Sequence, residues 1–498
     1  MKITKAVVED VGQVNLNWSG HANAFAVEMA YDLPNWTTVE YTDESSATIP
    51  VTELPVFFRV RTLADDITLV RENEERLAVL ESIREYVATV PKSTPAEEND
   101  VVSAYLKNRA ELTDVVISNQ CVWAEFPDGR TLVIINNREA IPSDYLPPTE
   151  LPAEVDLQEI AAPREVRADE SNAIPESKKV YLLSSIQLAP PHLKHTDFRI
   201  ASTLQTWFTN AGYDVRRTGA HLASLTTIKN AGVLFFNGHG GFRSPKEGSE
   251  ALWVMATDTK VSQKLPLIFE RMIDGYAIVR PLAHDVHYIV SKRWFEDKRF
   301  MTFSKNSLVY LSACHSNAAA GYFGGEPSHM GWTNSVWTSV AREANRYFFD
   351  RLLGANNAFP IQPRQRPFDI EPVYLSMARR KLNESVKTES GNTLVSMLHH
   401  TPNNFGLFVP TIERCVEVSE HVEQLHIEGR FDPGAASETK VTLTLGQKSV
   451  SLPVISVGQN GILCELKAGA VPSVGDVRVI QRGHRSNPVP LSEWRSGE

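Results

Sequence analysis

Two residues capable of thiol chemistry stand at the ends of two apolar runs: His239 closes "VLFFNGH" and Cys314 closes "SLVYLSAC". A cysteine at neutral pH is mostly protonated, and a neighbouring imidazole can hold it as a thiolate–imidazolium pair. The thiolate then attacks a carbonyl, provided that donors await the developing oxyanion. On this reading His239 is the base, Cys314 the nucleophile, and the amides of Gly240 and Cys314 the oxyanion donors. Gly240 suits the role because a residue without a side chain lets its amide approach a substrate carbonyl closely. Ser312 and Ala313, both small, fit a crowded turn leaving a strand.

Such a pair needs strands that end side by side. "KVYLLSSI", "YDVRRTG", "GVLFFNGHGG" and "SLVYLS" read as strands, and "TDFRIASTLQTWFTNAG" and "LASLTTIKNA" as helices between them. Strand–helix alternation predicts a parallel sheet with helices on both faces. Central parallel strands are buried on both sides, which explains the uninterrupted "VLFF" and "SLVYL". Ligands and reactive groups in such sheets collect just past the carboxyl ends of the strands, where both residues fall.

A hydrophobic block ending in His-Gly, followed by one ending in Ala-Cys, resembles the signature of the caspase-like (clan CD) cysteine peptidases. "VLFFNGHG", "SLVYLSAC" and the following "MGWTNSVWTSVAREANRYFFDRLL" are similar to the gingipain-like and CHAT-like members. The resemblance spans about 178–409 and implies a caspase-like three-layer α/β domain and a cysteine endopeptidase acting on protein or peptide substrates without a cofactor. Ser312 stands where caspases have Gln, so their preference for Asp is not implied. Between the motifs, "ALWVMATD" reads as an extra strand, and His315 directly after the nucleophile is unusual. Glu326 and Trp332 are the candidate substrate-binding residues, with Asp350 a further acidic candidate for a basic P1 side chain.

The flanks differ in pattern. Residues 1–63 alternate over short runs and resemble a fibronectin type III β-sandwich, with Trp18 as core anchor. Residues 64–140 read as an amphipathic helix followed by a hairpin around Asp128-Gly129. Residues 141–177, rich in proline and acid, read as a linker. The peptidase segment is expected over 178–411, with 178–409 as the minimal catalytic unit. Residues 412–498 are β-rich and resemble an IPT/TIG-like sandwich. The fold class expected is thus α/β, with all-β sandwiches on either side that offer protein partners a surface.

Composition sets the limits. The 498 residues carry a formal charge of −10, which gives no electrostatic reason to expect nucleic acid. No run is long and apolar enough for a membrane span. The four cysteines are too scattered for a disulfide framework or a zinc spacing, so a cytoplasmic setting and no metal are expected. The pair His284 and His287 lacks a third ligand at informative spacing. The "GHGG" echo of a serine-esterase oxyanion loop has no G-x-S-x-G elbow to accompany it. The alternative to an enzyme is a non-catalytic scaffold or sensor that binds partners through its sandwiches.

Overall fold

The apolar runs assemble into a six-stranded sheet in the order Asp214–Gly219, Lys179–Ser184, Ile228–Asn237, Met301–Ser312, Ser328–Trp332 and Leu398–Thr401. The first five run parallel and the last is antiparallel. The computed structural model describes residues 2–10, 13–19, 25–30, 37–42, 46–50, 57–62, 66–136, 174–185, 199–245, 250–261, 269, 272–280, 285–325, 327–358, 369–384, 397–401, 407–417, 424–466 and 475–490. Of the expected linker, only 174–177 falls within these residues, and Glu326 and His284 fall outside them.

Alternation along the strands divides their side chains between two cores. Val180, Leu182, Val233, Phe235, Leu308 and Tyr310 meet the helices Arg199–Asn210, Thr338–Leu352 and Ile370–Arg379. The first of these helices buries Ile200, Leu204, Trp207 and Phe208, spaced for a single face, and ends before Gly212 at φ 92°. The opposite row (Tyr181, Leu183, Leu234, Phe236, Val309 and Leu311) enters a second core that continues into another β-sheet. Helices were expected on both faces; the second face is instead covered largely by strands. The chain between the two motifs and the hairpin before the linker supply them, and neither obeys strand–helix alternation.

This second sheet has seven strands in the order Gly240–Arg243, Leu252–Lys260, Val286–Val290, Gly275–Val279, Thr131–Ile135, Cys121–Glu125 and Thr113–Ser118. It curls until its first strand meets the hairpin at the other end. Arg243 ion-pairs with Glu125, and Asn119 Nδ2 donates to the Phe242 carbonyl at 3.2 Å. The inner surface holds Cys121, Trp123, Val133, Ile135, Val254, Ala256, Ala277, Val279 and Ile289, none more than 3% exposed. The expected turn at Asp128-Gly129 joins Cys121–Glu125 to Thr131–Ile135, and a second hairpin joins Thr113–Ser118 to Cys121–Glu125; its tip is a tight two-residue turn with Asn119 and Gln120 both left-handed, at φ 49° and 61°.

Where one helix was expected before the hairpin, two stand, Asp66–Thr89 and Pro95–Lys107, and buried polar groups lock them onto the sheet. Arg280 pairs with Glu98 at 3.1 Å and donates to the carbonyls of Val87 and Val90. Asn136 donates to Glu98 and Asn99 from the end of Thr131–Ile135. Strands Thr131–Ile135 and Gly275–Val279 pair in parallel, so strands from before and after the expected linker 141–177 share one sheet.

At the other end of the parallel sheet, the C-terminal strands form two antiparallel sheets around a common core of Ile412, Leu425, Ile427, Val441, Leu443, Ile462 and Val477. They dock on the amino ends of the parallel strands. A side chain at Gly212 would lie 2.1 Å from the Gly483 carbonyl oxygen, Arg485 N donates to Ala211 O at 2.8 Å, and the His484 ring lies against Tyr213. The N-terminal strands form two three-stranded antiparallel sheets whose common core contains Leu16, Trp18, Val27 and Ile49. Among the described residues no helix is long and apolar enough to cross a membrane.

Because the hairpin completes the curled sheet, a fragment beginning at residue 178 should show no cooperative thermal transition by circular dichroism, whereas one beginning at 66 should. Trp123→Ala should lower the stability of the full chain by about 3–5 kcal/mol. A cooperative melt of the shorter fragment would show that the hairpin is dispensable.

Candidate active site

The positions of His239 and Cys314 follow from strand register. Strands Ile228–Asn237 and Met301–Ser312 pair in parallel with Phe236 opposite Leu311 and Asn237 opposite Ser312. His239 and Cys314 therefore each lie two residues beyond level strand ends. Gly238 N extends the ladder by donating to Ser312 O at 3.2 Å. The turn after the second strand is held from inside: Asn345 Nδ2 donates to Ser312 Oγ, Ser316 Oγ to Leu311 O, and Trp332 N to Ser316 Oγ.

Gly240 sits against the nucleophile's own carbonyl. A Cβ there would lie 2.6 Å from Cys314 O and 2.8 Å from Trp253 Nε1. The Trp253 indole donates to that same carbonyl at 3.1 Å, so three segments of the chain meet at one oxygen. Cys314 is 8% exposed, and its Sγ accepts from Val336 N at 3.4 Å. The thiol in turn faces Val336 O at 3.9 Å, so both backbone polar groups of Val336 orient the sulfur.

The site is electrically quiet at rest. The His239 ring is held down to about 4, first by burial and then by the neighbouring His287, although the residue keeps partial contact with solvent. A neutral ring is the form that can accept a thiol proton. His315 is left-handed at φ 55° and buried, and burial holds it at about 4 as well, so it brings no positive charge to Cys314 near neutral pH. Its ring stacks on Phe242 and lies 3.2 Å from Ser335 Oγ, which in turn donates to Gln120 Oε1 at 3.3 Å. The hairpin tip thus reaches the segment that holds the thiol. Cys121, just after that tip, feels Cys314 electrostatically and is pushed up to about 12, chiefly by burial.

The other residues singled out from sequence lie elsewhere. Trp332 is fully enclosed in the core between parallel sheet and helices, so its ring forms no wall of an open pocket. Asp350 is likewise buried, paired with Arg351 and accepting from the amides of Asn357 and Ala358; it braces a helix end and cannot receive a basic P1 side chain. Trp253, Val336, Ser335 and Gln120 carry no local sequence signal that marks them as neighbours of the thiol. Among the described residues no three His, Cys, Asp or Glu side chains converge to hold a metal ion. A cleft of about 530 Å³ lined by Glu176, Lys178, Asp214, Glu438 and Arg482 lies at the amino ends of the strands, away from Cys314.

No family profile matches the sequence, and no curated protein matches it. Among solved structures, the chain overlaps the Arg-specific cysteine proteinase gingipain R with a TM-score of 0.29 and 10% identity, over 65% of this chain and 69% of that one. A second overlap, with a protein described as a protease, has a TM-score of 0.26 and 8% identity, over 67% of this chain and 69% of that one. Likenesses this distant leave the activity to be read from the site itself.

Gly240→Ala should slow alkylation of Cys314 far more than it lowers the melting temperature, since the clash is confined to the turn; equal labelling of both proteins would remove Gly240 from the site. The pH dependence of stability has a definite sign. His239, His315 and His484 fall to about 4 in the fold from an ordinary 6.5. The unfolded chain therefore binds more protons than the folded chain between these values. The melting temperature should fall as pH drops from about 6.5 towards 4, and His484→Phe should flatten that slope. A melting temperature constant over this range would contradict the buried neutral histidines.

Proposed function

We propose that this chain is a cysteine endopeptidase with a Cys314–His239 dyad in a caspase-like domain of the gingipain and CHAT type. The observation that carries the reading is the level register of two adjacent parallel strands, each continuing two residues to a thiol or an imidazole. His239 takes the thiol proton and Cys314 Sγ attacks the scissile carbonyl. The amides of Gly240 and Cys314 receive the oxyanion, and the carbonyl re-forms as the amine leaves with the proton from His239. Water deprotonated by His239 then cleaves the thioester, releasing the acid and restoring the thiol. Near neutral pH the His239 ring rests neutral, so it is ready to accept the thiol proton as the sulfur attacks the bound carbonyl.

The terminal sheets are read as fibronectin III-like and IPT/TIG-like modules that hold protein partners, and four cysteines outside any disulfide are in keeping with a reducing, cytoplasmic setting. A non-catalytic scaffold is the second reading, favoured by the slight exposure of Cys314. Cleavage of a peptide library separates the two. Cys314→Ala and His239→Ala should each reduce turnover by at least about 10³-fold, with the double variant no worse than either, because the pair acts as a unit. Undiminished turnover in Cys314→Ala would remove the nucleophile, and a wild type that neither cleaves peptides nor reacts with thiol-directed peptide probes would favour the scaffold.

A further inference from the structure

One of the two histidines set aside as metal ligands, His287, lies on the strand Val286–Val290, separated from the His239 segment by Leu252–Lys260. Ala256 N donates to His239 O at 3.1 Å, which continues the pairing of Gly240 with Met255 by one residue. Ala256 is in turn opposite Ile289, and His287, two residues before Ile289 and opposite Ala277, lies on the same inner face of the curled sheet. His239 thus shares a face with His287, and the two rings interact electrostatically. His287 is 6% exposed, and its Nδ1 has no hydrogen-bond partner. The Thr257 backbone favours the protonated ring, but burial outweighs it and keeps the pKa below the ordinary value. In the tautomer with hydrogen on Nε2, the unpartnered Nδ1 is a buried lone pair.

We propose that His287 is a positioning residue for His239, supplying through Nδ1 the acceptor for the imidazolium N–H that does not face Cys314. The inference rests on the dyad reading. When the thiol ionises, His239 gains a second N–H beside a sheet face lined by Val254, Ala256, Ala277 and Ile289, where an unpaired donor is costly. Among the described residues the resting His239 ring makes no hydrogen bond, so the contact forms on ionisation, directly or through one water. A base oriented by a third group is the general arrangement for an activated nucleophile. His287 must itself stay neutral to accept. Burial lowers its pKa, opposed by Asp285 and Asp258 and aided by Lys260. These charges are partly engaged already: Lys260 pairs with Asp285 at 2.9 Å, and Asp258 lies 3.4 Å from His221. The other neighbouring strand, Gly275–Val279, presents uncharged Ala277.

The test measures iodoacetamide labelling of Cys314 against pH, located among the four cysteines by mass spectrometry, together with kcat and KM on a cleaved peptide. The proteins are the full chain, His239→Ala, His287→Leu and His287→Gln. His287→Leu fills the space but cannot accept; labelling at pH 7 should slow on the order of tenfold, the scale of one hydrogen bond to a charged group. Its acid limb should move to higher pH, and kcat should fall with KM unchanged. His287→Gln keeps an acceptor and should restore most of the loss. Labelling of His287→Leu that matches wild type while His239→Ala is impaired would overturn the proposal and leave the dyad standing. Equal loss in the Leu and Gln variants would overturn it too, as a packing effect. If His239→Ala labels as the wild type does, the dyad itself is lost.

Discussion

The candidate chemistry depends on one backbone pairing, that of Ile228–Asn237 with Met301–Ser312. Both strands are buried on both faces, so each side chain contributes to one of two cores and the ladder cannot shift without disturbing both. Full burial of a Val, Leu or Phe side chain is worth about 1.5–3 kcal/mol, and these two strands carry several each. That energy fixes the level at which the strands end. Two residues of overhang then decide which side chains stand at the sheet's carboxyl edge. The bonds from Gly238 N to Ser312 O and from Asn345 to Ser312 Oγ carry the register past the regular ladder, into the turn itself.

The curled sheet converts this edge into an enclosure. It brings Gly240 against Cys314 O, Trp253 Nε1 to the same oxygen, and the hairpin tip to Ser335. A parallel sheet alone would leave the thiol beside open solvent. With the second sheet over it, Cys314 and His315 are surrounded by protein of low polarisability, which keeps nearby histidines neutral. The C-terminal sheets take no part in this enclosure, since their contacts with Ala211, Gly212 and Tyr213 lie at the opposite ends of the parallel strands. One end of the sheet is thus occupied by a docked β region and the other by the candidate site.

Local pattern determined much of this protein. The runs around Phe235 and Leu311 read as buried strands because burial on both faces leaves no polar alternation, and His239 and Cys314 read as a pair because each closes such a run. Gly240 was legible for the same reason: the close approach that requires it belongs to the turn in which it stands. What only the tertiary structure decided involves partners remote in sequence. Nothing near residue 123 announces that Thr131–Ile135 will pair with Gly275–Val279, since that contact depends on how the sheet curls. Trp332 read as a pocket wall and Asp350 as an acid for a basic P1 side chain, because position after the nucleophile does not reveal which face of a strand or helix turns into the core. His287 read as half of an incomplete metal motif; its neighbour is His239, two strands away, and register across a sheet is set by the summed burial of many side chains rather than by the spacing of any two.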